Sequence, residues 1–547
     1  MSQSYAQLQD LPDELLIFIF KQMHNVEVLY SLFGVNERLN SILLDPIFTN
    51  RLNFLKRSSK KFLNVYSLDI IFDRFCLQIL PAVHEKIQWL DVESSSMKRI
   101  LCAADYPNLH GLGLFNTEEE TIKSLFTGEK ISKFNNINLS SGLFQNQITK
   151  LLITIDTDRN QKYHSTMEYI CNHIFSVFKK LTHLIFSESS YRNMVTLPFY
   201  PPINFCSPSL LLLNIKIDFF VTCLCLLDGR FSQLHTLIVE SANITASEKI
   251  ENQCEIPSLK YFSLSCYRAT SYYDELILPS LYRMSNLETL NLSLSISVEE
   301  TFIDGHNLKN KIINHMSQLN KFTFYIRSIM RIKNEMILPS KEYIQKTFKN
   351  FPHAQMICYM DRFLGRRECQ YHIFTYPSQM SYYQYLSNQF PGGYYPYVRM
   401  VSLYDEYPFE HEFFLQITQS FPFIEKLVLI NWKPQQHKQS SKSENDNCHS
   451  SVVKYSHLIE LDIERVYDDY VEEFLSDTRT FFQKNIRLNI ASNALLRVTE
   501  NFTRKDTRMN CIKVEDLLPW SEFRSSKSFQ EYFPSIKESD YITSLFM

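Results

Sequence analysis

At 547 residues the chain is too long for one ordinary core, which calls for several domains or a repeat array. Apolar residues make up 45% and charged residues 21%, as in folded chains, and a formal charge of -3 gives no global pull toward nucleic acid or acidic membranes. Glycine occurs only 10 times, against an average usage of about 7%, so phosphate-cradling loops are not expected; there is no G-x-G-x-x-G, Walker-type loop or G-x-S-x-G elbow.

Residues 1–8 form a polar lead without the charged head, apolar core and cleavage site of a secretory signal. The 12 cysteines follow no framework spacing, so the expected location is cytoplasmic or nuclear, with reduced thiols. After the lead comes LPDELLIFIFKQM, residues 11–23. Pro12 suits a first helical turn, and Asp13 and Glu14 favour the positive end of the helix dipole. Leu15, Ile19 and Met23 share one helical face, and Leu16, Phe20 and Met23 form an adjacent stripe. A helix apolar on all sides predicts burial on all sides. A second helix follows, with Asn25 as its expected cap and Val28, Leu29, Leu32 and Val35 apolar. A third, capped by Asn36, turns Leu39, Ile42 and Leu43 inward until Pro46 stops it. Three short helices rarely bury enough surface to stand alone, so the opening helix needs a covering surface, from this chain or from a partner.

Leu11-Pro12-Asp13-Glu14-Leu15-Leu16, Ile19-Phe20, Val28-Leu29 and Val35-Asn36-Glu37-Arg38-Leu39 resemble an F-box over residues 9–50. The resemblance implies a three-helix module that docks on a Skp-type adaptor and joins a cullin ubiquitin ligase. The adaptor surface it implies is Leu11, Pro12, Leu15, Leu16, Ile19, Phe20, Val28, Leu29 and Leu32, some of which serve the module's own core. Two departures stand out: Leu39 replaces the tryptophan common in the third helix, and Glu37-Arg38 replaces a basic pair.

Residues 51–85 read as a helical junction that begins with the basic run Arg51, Lys56, Arg57, Lys60 and Lys61, more simply a solvated junction than a binding patch. Over residues 86–516 one phrase recurs, an apolar residue followed by x-x-L-x-x-L-x-L with conservative swaps. It begins at Tyr106, Phe178, Phe231, Ile256, Met284, Met316, Phe421 and Tyr455. Many steps are about 25 to 30 residues, a leucine-rich-repeat period. Each L-x-L predicts a short strand with one buried face, and the residues between supply a return. The expected fold is α+β or α/β: a three-helix F-box followed by an irregular leucine-rich-repeat-like solenoid, in which each unit buries its apolar face on the next. An ordinary α/β domain is the alternative. Spacing is irregular between about 326 and 424. Residues 433–451 read as a polar, disordered insertion, and 517–547 as a C-terminal tail.

Catalytic chemistry finds no support in spacing. Cys358, Cys369 and His372 come nearest to a metal set, without an evident fourth ligand, and no cofactor is expected. Strand residues facing away from the core are expected to contact a protein substrate: His183, Glu240, Tyr261, Asn291, Tyr325, Asp462 and Glu464. The tyrosine-rich stretch YYQYLSNQFPGGYYPY, residues 382–397, reads equally as a contact loop or as a self-packed one. Together these features predict a non-catalytic substrate receptor of a Skp–cullin–F-box ubiquitin ligase, with a Skp-type adaptor, a cullin and a protein substrate as partners, and neither nucleic acid nor membrane. The alternative is a repeat scaffold capped by its N-terminal helices.

Overall fold

A computed structural model describes residues 10–55, 68–117, 144, 146–155, 166–188, 206–245, 255–333, 338–349, 351, 355–436, 452–518 and 527–536. The polar lead, most of the basic run and most of the 433–451 insertion lie outside these residues. The chain is a mixed α/β protein rich in parallel sheet. Contacts divide it into two compact units, Met1–Leu264 with Pro279–Thr289, and Ser265–Leu278 with Leu290–Met547. No helix among the described residues is long and apolar enough to cross a membrane.

The first unit opens with helices α1 (Asp13–Phe20), α2 (Asn25–Leu32) and α3 (Glu37–Leu43). Asn36 caps α3 by accepting from the Leu39 amide at 2.7 Å. Asn25 does not cap α2; His24 holds that position. The Asn25 carboxamide instead donates to the carbonyls of Ile47 (3.1 Å) and Arg51 (3.2 Å), tying α2 to the following turn. Pro46 ends α3 and begins a one-turn helix whose first turn is capped by Asp45.

Strands β1 (Arg51–Asn53), β2 (Trp89–Glu93), β3 (Gly111–Thr117), β4 (Lys150–Ile155), β5 (His183–Glu188), β6 (Leu212–Phe219) and β7 (Thr236–Asn243) pair in chain order, all parallel. Register places Leu52, Leu90, Leu112, Leu151, Leu184, Leu213 and Leu237 side by side, and all are buried. The first leucine of the L-x-L phrase is therefore the rung of one continuous apolar ladder.

The earlier part of the phrase has its own cause. In seven of the eight copies the leading apolar carbonyl accepts from the amide three residues on, as in Tyr106 to Leu109 (3.2 Å) and Phe231 to Leu234 (3.0 Å). In the eighth, the Tyr455 carbonyl takes the Gln483 amide at 3.1 Å instead. The turn leaves the residue before each strand with its amide and the next aimed at one carbonyl of the preceding repeat. Thr149 and Lys150 both donate to His110, and Thr182 and His183 both donate to Thr149.

β8 (Tyr261–Thr270) and β9 (Thr289–Val298) follow. In the second unit, β10 (Lys321–Arg331), β11 (Gln355–Phe363) and β12 (Glu368–Tyr376) are antiparallel, with β12 between the other two. This hairpin accounts for the irregular spacing between 326 and 424. Parallel pairing resumes in β13 (Tyr382–Leu386), β14 (Met400–Tyr404), β15 (Lys426–Asn431), β17 (Glu460–Val466), β19 (Ile486–Ile490) and β20 (Val514–Leu518). β16 (Val453–Tyr455) and β18 (Thr480–Phe482) form a small parallel pair. Here Tyr383, Val401, Leu427, Leu461, Leu488 and Leu517 make a second buried ladder.

Candidate functional site

The three N-terminal helices share a small core of Leu16, Phe20, Val26, Val28, Leu29, Leu39, Ile42 and Leu43. Phe20 meets Phe48 edge-on at 6.3 Å. Arg38 of α3 clamps the first turn of α1, reaching Asp13 Oδ1 from Nη2 at 2.6 Å and the Leu11 carbonyl at 2.6 Å. α2 faces the junction: Tyr30 stacks on Phe75 at 6.2 Å, and the Arg74 guanidinium lies over Tyr30 while donating to the Phe33 carbonyl at 2.8 Å.

The opening helix is not covered on all sides. Leu15 is 49%, Phe18 64% and Ile19 40% exposed along one face of α1, and Met23, just past the end of the helix, is 42% exposed. Of the residues implied as adaptor contacts, Pro12, Leu15 and Ile19 are exposed and Leu11 and Leu32 are half-buried. Leu16, Phe20, Val28 and Leu29 lie inside and offer no surface. Phe18, the most exposed of the set, belongs to this face, and its place on the Leu15 to Met23 stripe was the available signal. Leu39, at the tryptophan position, points into the module.

The expected substrate contacts are divided between the two units. His183, Glu240 and Tyr261 belong to the first unit, and Asn291, Tyr325, Asp462 and Glu464 to the second. His183 is half-buried beside Thr182, whose hydroxyl lies 2.8 Å from Nδ1; burial and then the Lys150 charge lower its pKa. Glu240 is paired with Lys216 at 3.2 Å, and burial raises the pKa of Tyr261. Asn291 accepts from the Thr323 hydroxyl at 3.3 Å. Asp462 is half-buried and Glu464 exposed, two residues apart on β17. Tyr325 is a correction. It is 1% exposed because the aromatic rings of Phe374 and Tyr383 cover its face of β10.

Beneath Tyr325 lies a polar cluster that the sequence did not announce. Its hydroxyl is 3.2 Å from His372 Nδ1, Tyr359 stacks on the imidazole at 4.5 Å, and His372 Nε2 is 3.4 Å from Asp361 Oδ2. Ser387 donates to Asp361. Alternation along β12 puts His372 on the face opposite Cys369, while Cys358 on β11 pairs with Ile373 of β12. Cys358, Cys369 and His372 therefore do not converge. Among the described residues no group of three or more His, Cys, Asp or Glu is placed to hold a metal.

Burial lowers the pKa of His372, and Asp361 opposes that shift. The unfolded imidazole takes up a proton near pH 6.5, whereas the folded one stays neutral further down. The unfolded state thus binds more protons below about pH 6.5, and stability falls with pH from there. Urea midpoints of the full chain are expected to drop between pH 7.5 and 5. His372→Phe, which keeps the ring against Tyr359, is expected to flatten that slope; an unchanged slope would remove His372 from the account.

No protein-family model matches the sequence, and no curated protein matches it.

Proposed function

We propose that the chain is the non-catalytic substrate receptor of a Skp–cullin–F-box ubiquitin ligase. Residues 9–50 act as the F-box, and Pro12, Leu15, Phe18, Ile19 and Met23 meet the Skp-type adaptor, which links the chain to a cullin. The strand-by-strand array acts as a leucine-rich-repeat-like solenoid that holds a protein and keeps its lysines close to the ubiquitin carrier.

The observation that carries this reading is the uncovered apolar face of α1, where Leu15, Phe18 and Ile19 are exposed together. Apolar area removed from water is worth about 25 cal/mol per Å², so a partner gains from covering three large side chains at once. A scaffold with a helical cap is the second reading, favoured by the packing of α2 on Arg74 and Phe75. It leaves the α1 face without a use.

Co-expression with a Skp-type adaptor distinguishes the two. The wild-type chain is expected to co-purify with the adaptor. A Leu15→Ala, Phe18→Ala, Ile19→Ala variant is expected to bind at least about tenfold more weakly, as loss of a hot-spot cluster should. These side chains are solvent-facing, so circular dichroism should show an unchanged fold. Failure of the folded wild-type chain to bind would end the ligase reading.

A further inference from the structure

The tyrosine-rich segment 382–397 is both a packed element and a presented one. Tyr382, Tyr383 and Tyr395 are buried, and the Tyr395 ring lies against Gly393, where a Cβ would come within 2.7 Å of its hydroxyl. Tyr395 also donates to the Gly392 carbonyl at 3.1 Å. With the loop anchored in this way, Tyr394 and Tyr397 stand 54% and 57% exposed. An anchored loop gives an exposed ring a fixed position at little entropic cost.

Tyr397 lines a cleft of about 490 Å³ within the second unit. Two proline–aromatic dipeptides border it, Tyr376-Pro377 and Pro396-Tyr397, together with Phe322 and Lys321. The β10–β12 ladder begins at Tyr325 and Phe374, and only the Thr375 hydroxyl, accepting from the Phe324 amide at 3.1 Å, extends it further. Phe322 on β10 therefore lies beyond the ladder, and Pro377 has no amide with which to pair it. The cleft thus combines flat rings, a strand end beyond its ladder and one cation. Lys321 is exposed, forms no ion pair among the described residues, and no acidic side chain lines the cleft.

We propose that this cleft binds an extended, proline-containing peptide segment with an acidic residue beside Lys321. Proline rings of an extended, preformed helix pack on tyrosine faces with little ordering cost, and the charge of the cleft selects for a carboxylate at the flank. A cleft of this volume is in the range that encloses a short ligand segment. Peptide binding by the second unit and adaptor binding by the α1 face use different residues and fail independently.

The test is fluorescence anisotropy on the full chain. The probe is a fluorescein-labelled peptide of proline pairs separated by leucine and flanked by glutamates. Saturable binding is expected, weakened at least about tenfold by Tyr397→Ala and several-fold when lysines replace the flanking glutamates. Lys321→Glu is expected to reverse the preference between the two flanks. Tyr397 and Lys321 are exposed, and circular dichroism confirms that the variants fold. Absence of saturable binding, binding indifferent to Tyr397→Ala, or equal binding of a serine-for-proline peptide would overturn the proposal.

Discussion

Glu473→Ala is expected to destabilise the second unit by about 3–5 kcal/mol, the usual cost of stripping one partner from a buried ion pair. The Glu473 side chain is fully buried in the helix Asp468–Leu475. Its Oε1 accepts from His411 Nδ1 at 2.6 Å and its Oε2 from Arg479 Nη1 at 3.1 Å. The same helix end is stitched to β18 by the Thr480 hydroxyl, which donates to the Glu473 carbonyl at 2.8 Å, and by Asn510, which donates to the carbonyls of Phe474 and Thr480. Without the carboxylate, Arg479 retains its charge in a site that is 21% exposed. A Glu473→Ala, Arg479→Ala double variant is therefore expected to recover part of the loss, a coupling that only neighbours in one network show. Urea unfolding followed by far-ultraviolet circular dichroism measures both. A single-variant loss below about 1 kcal/mol would mean that the pair contributes no more than a surface bridge.

The second large effect is expected at Gly113, where alanine should cost about 3 kcal/mol. The two glycines of GLGL in β3 leave room for their neighbours on β2. A Cβ at Gly111 would fall 1.9 Å from the Trp89 ring, and one at Gly113 would fall 2.3 Å from Asp91 Oδ1. Asp91 is wholly buried, accepts from Trp89 Nε1 at 2.6 Å and pairs with Arg51 at 2.8 Å, while the Arg51 guanidinium lies over the indole at 4.8 Å. Alanine would either displace that carboxylate or push the strands apart. Overpacking costs about 1–3 kcal/mol, and disturbed hydrogen bonds to a charged group add to it. Trp89 reports the event directly in a background where Trp432 and Trp520 are phenylalanine. An unfolding curve coincident with that of the parent would show that β2 absorbs the methyl group without cost.

Legibility in the sequence varied with the range of the cause. The turn from Tyr106 to Leu109 and the rung at Leu112 are local consequences of residue type, so each repeat phrase could be read without its neighbours. Three-helix packing was legible from Leu39, Ile42 and Leu43, whose spacing is that of a buried stripe. Asn25 was misplaced because its partner carbonyls, at Ile47 and Arg51, lie a whole helix away. Tyr325 was misplaced for the same kind of reason. Alternation correctly assigns a face of β10, but not that rings from residues 374 and 383 cover that face. The hairpin of β11 and β12 has no repeat phrase to announce it, and the cleft beside Tyr397 lies where that hairpin ends, at Tyr376 and Pro377.

Strand order also bears on how the chain is made. Each of β2 to β7 joins the strand translated just before it, so a nascent chain emerging from the ribosome can add every new strand to an edge that already exists. β11 breaks this rule. It borders β12, not β10, and so has no docking edge when it emerges. It must wait until the turn after Phe363 and all of β12 have cleared the exit tunnel, as β16 must wait for β18, and at these two strands synthesis and folding fall out of step.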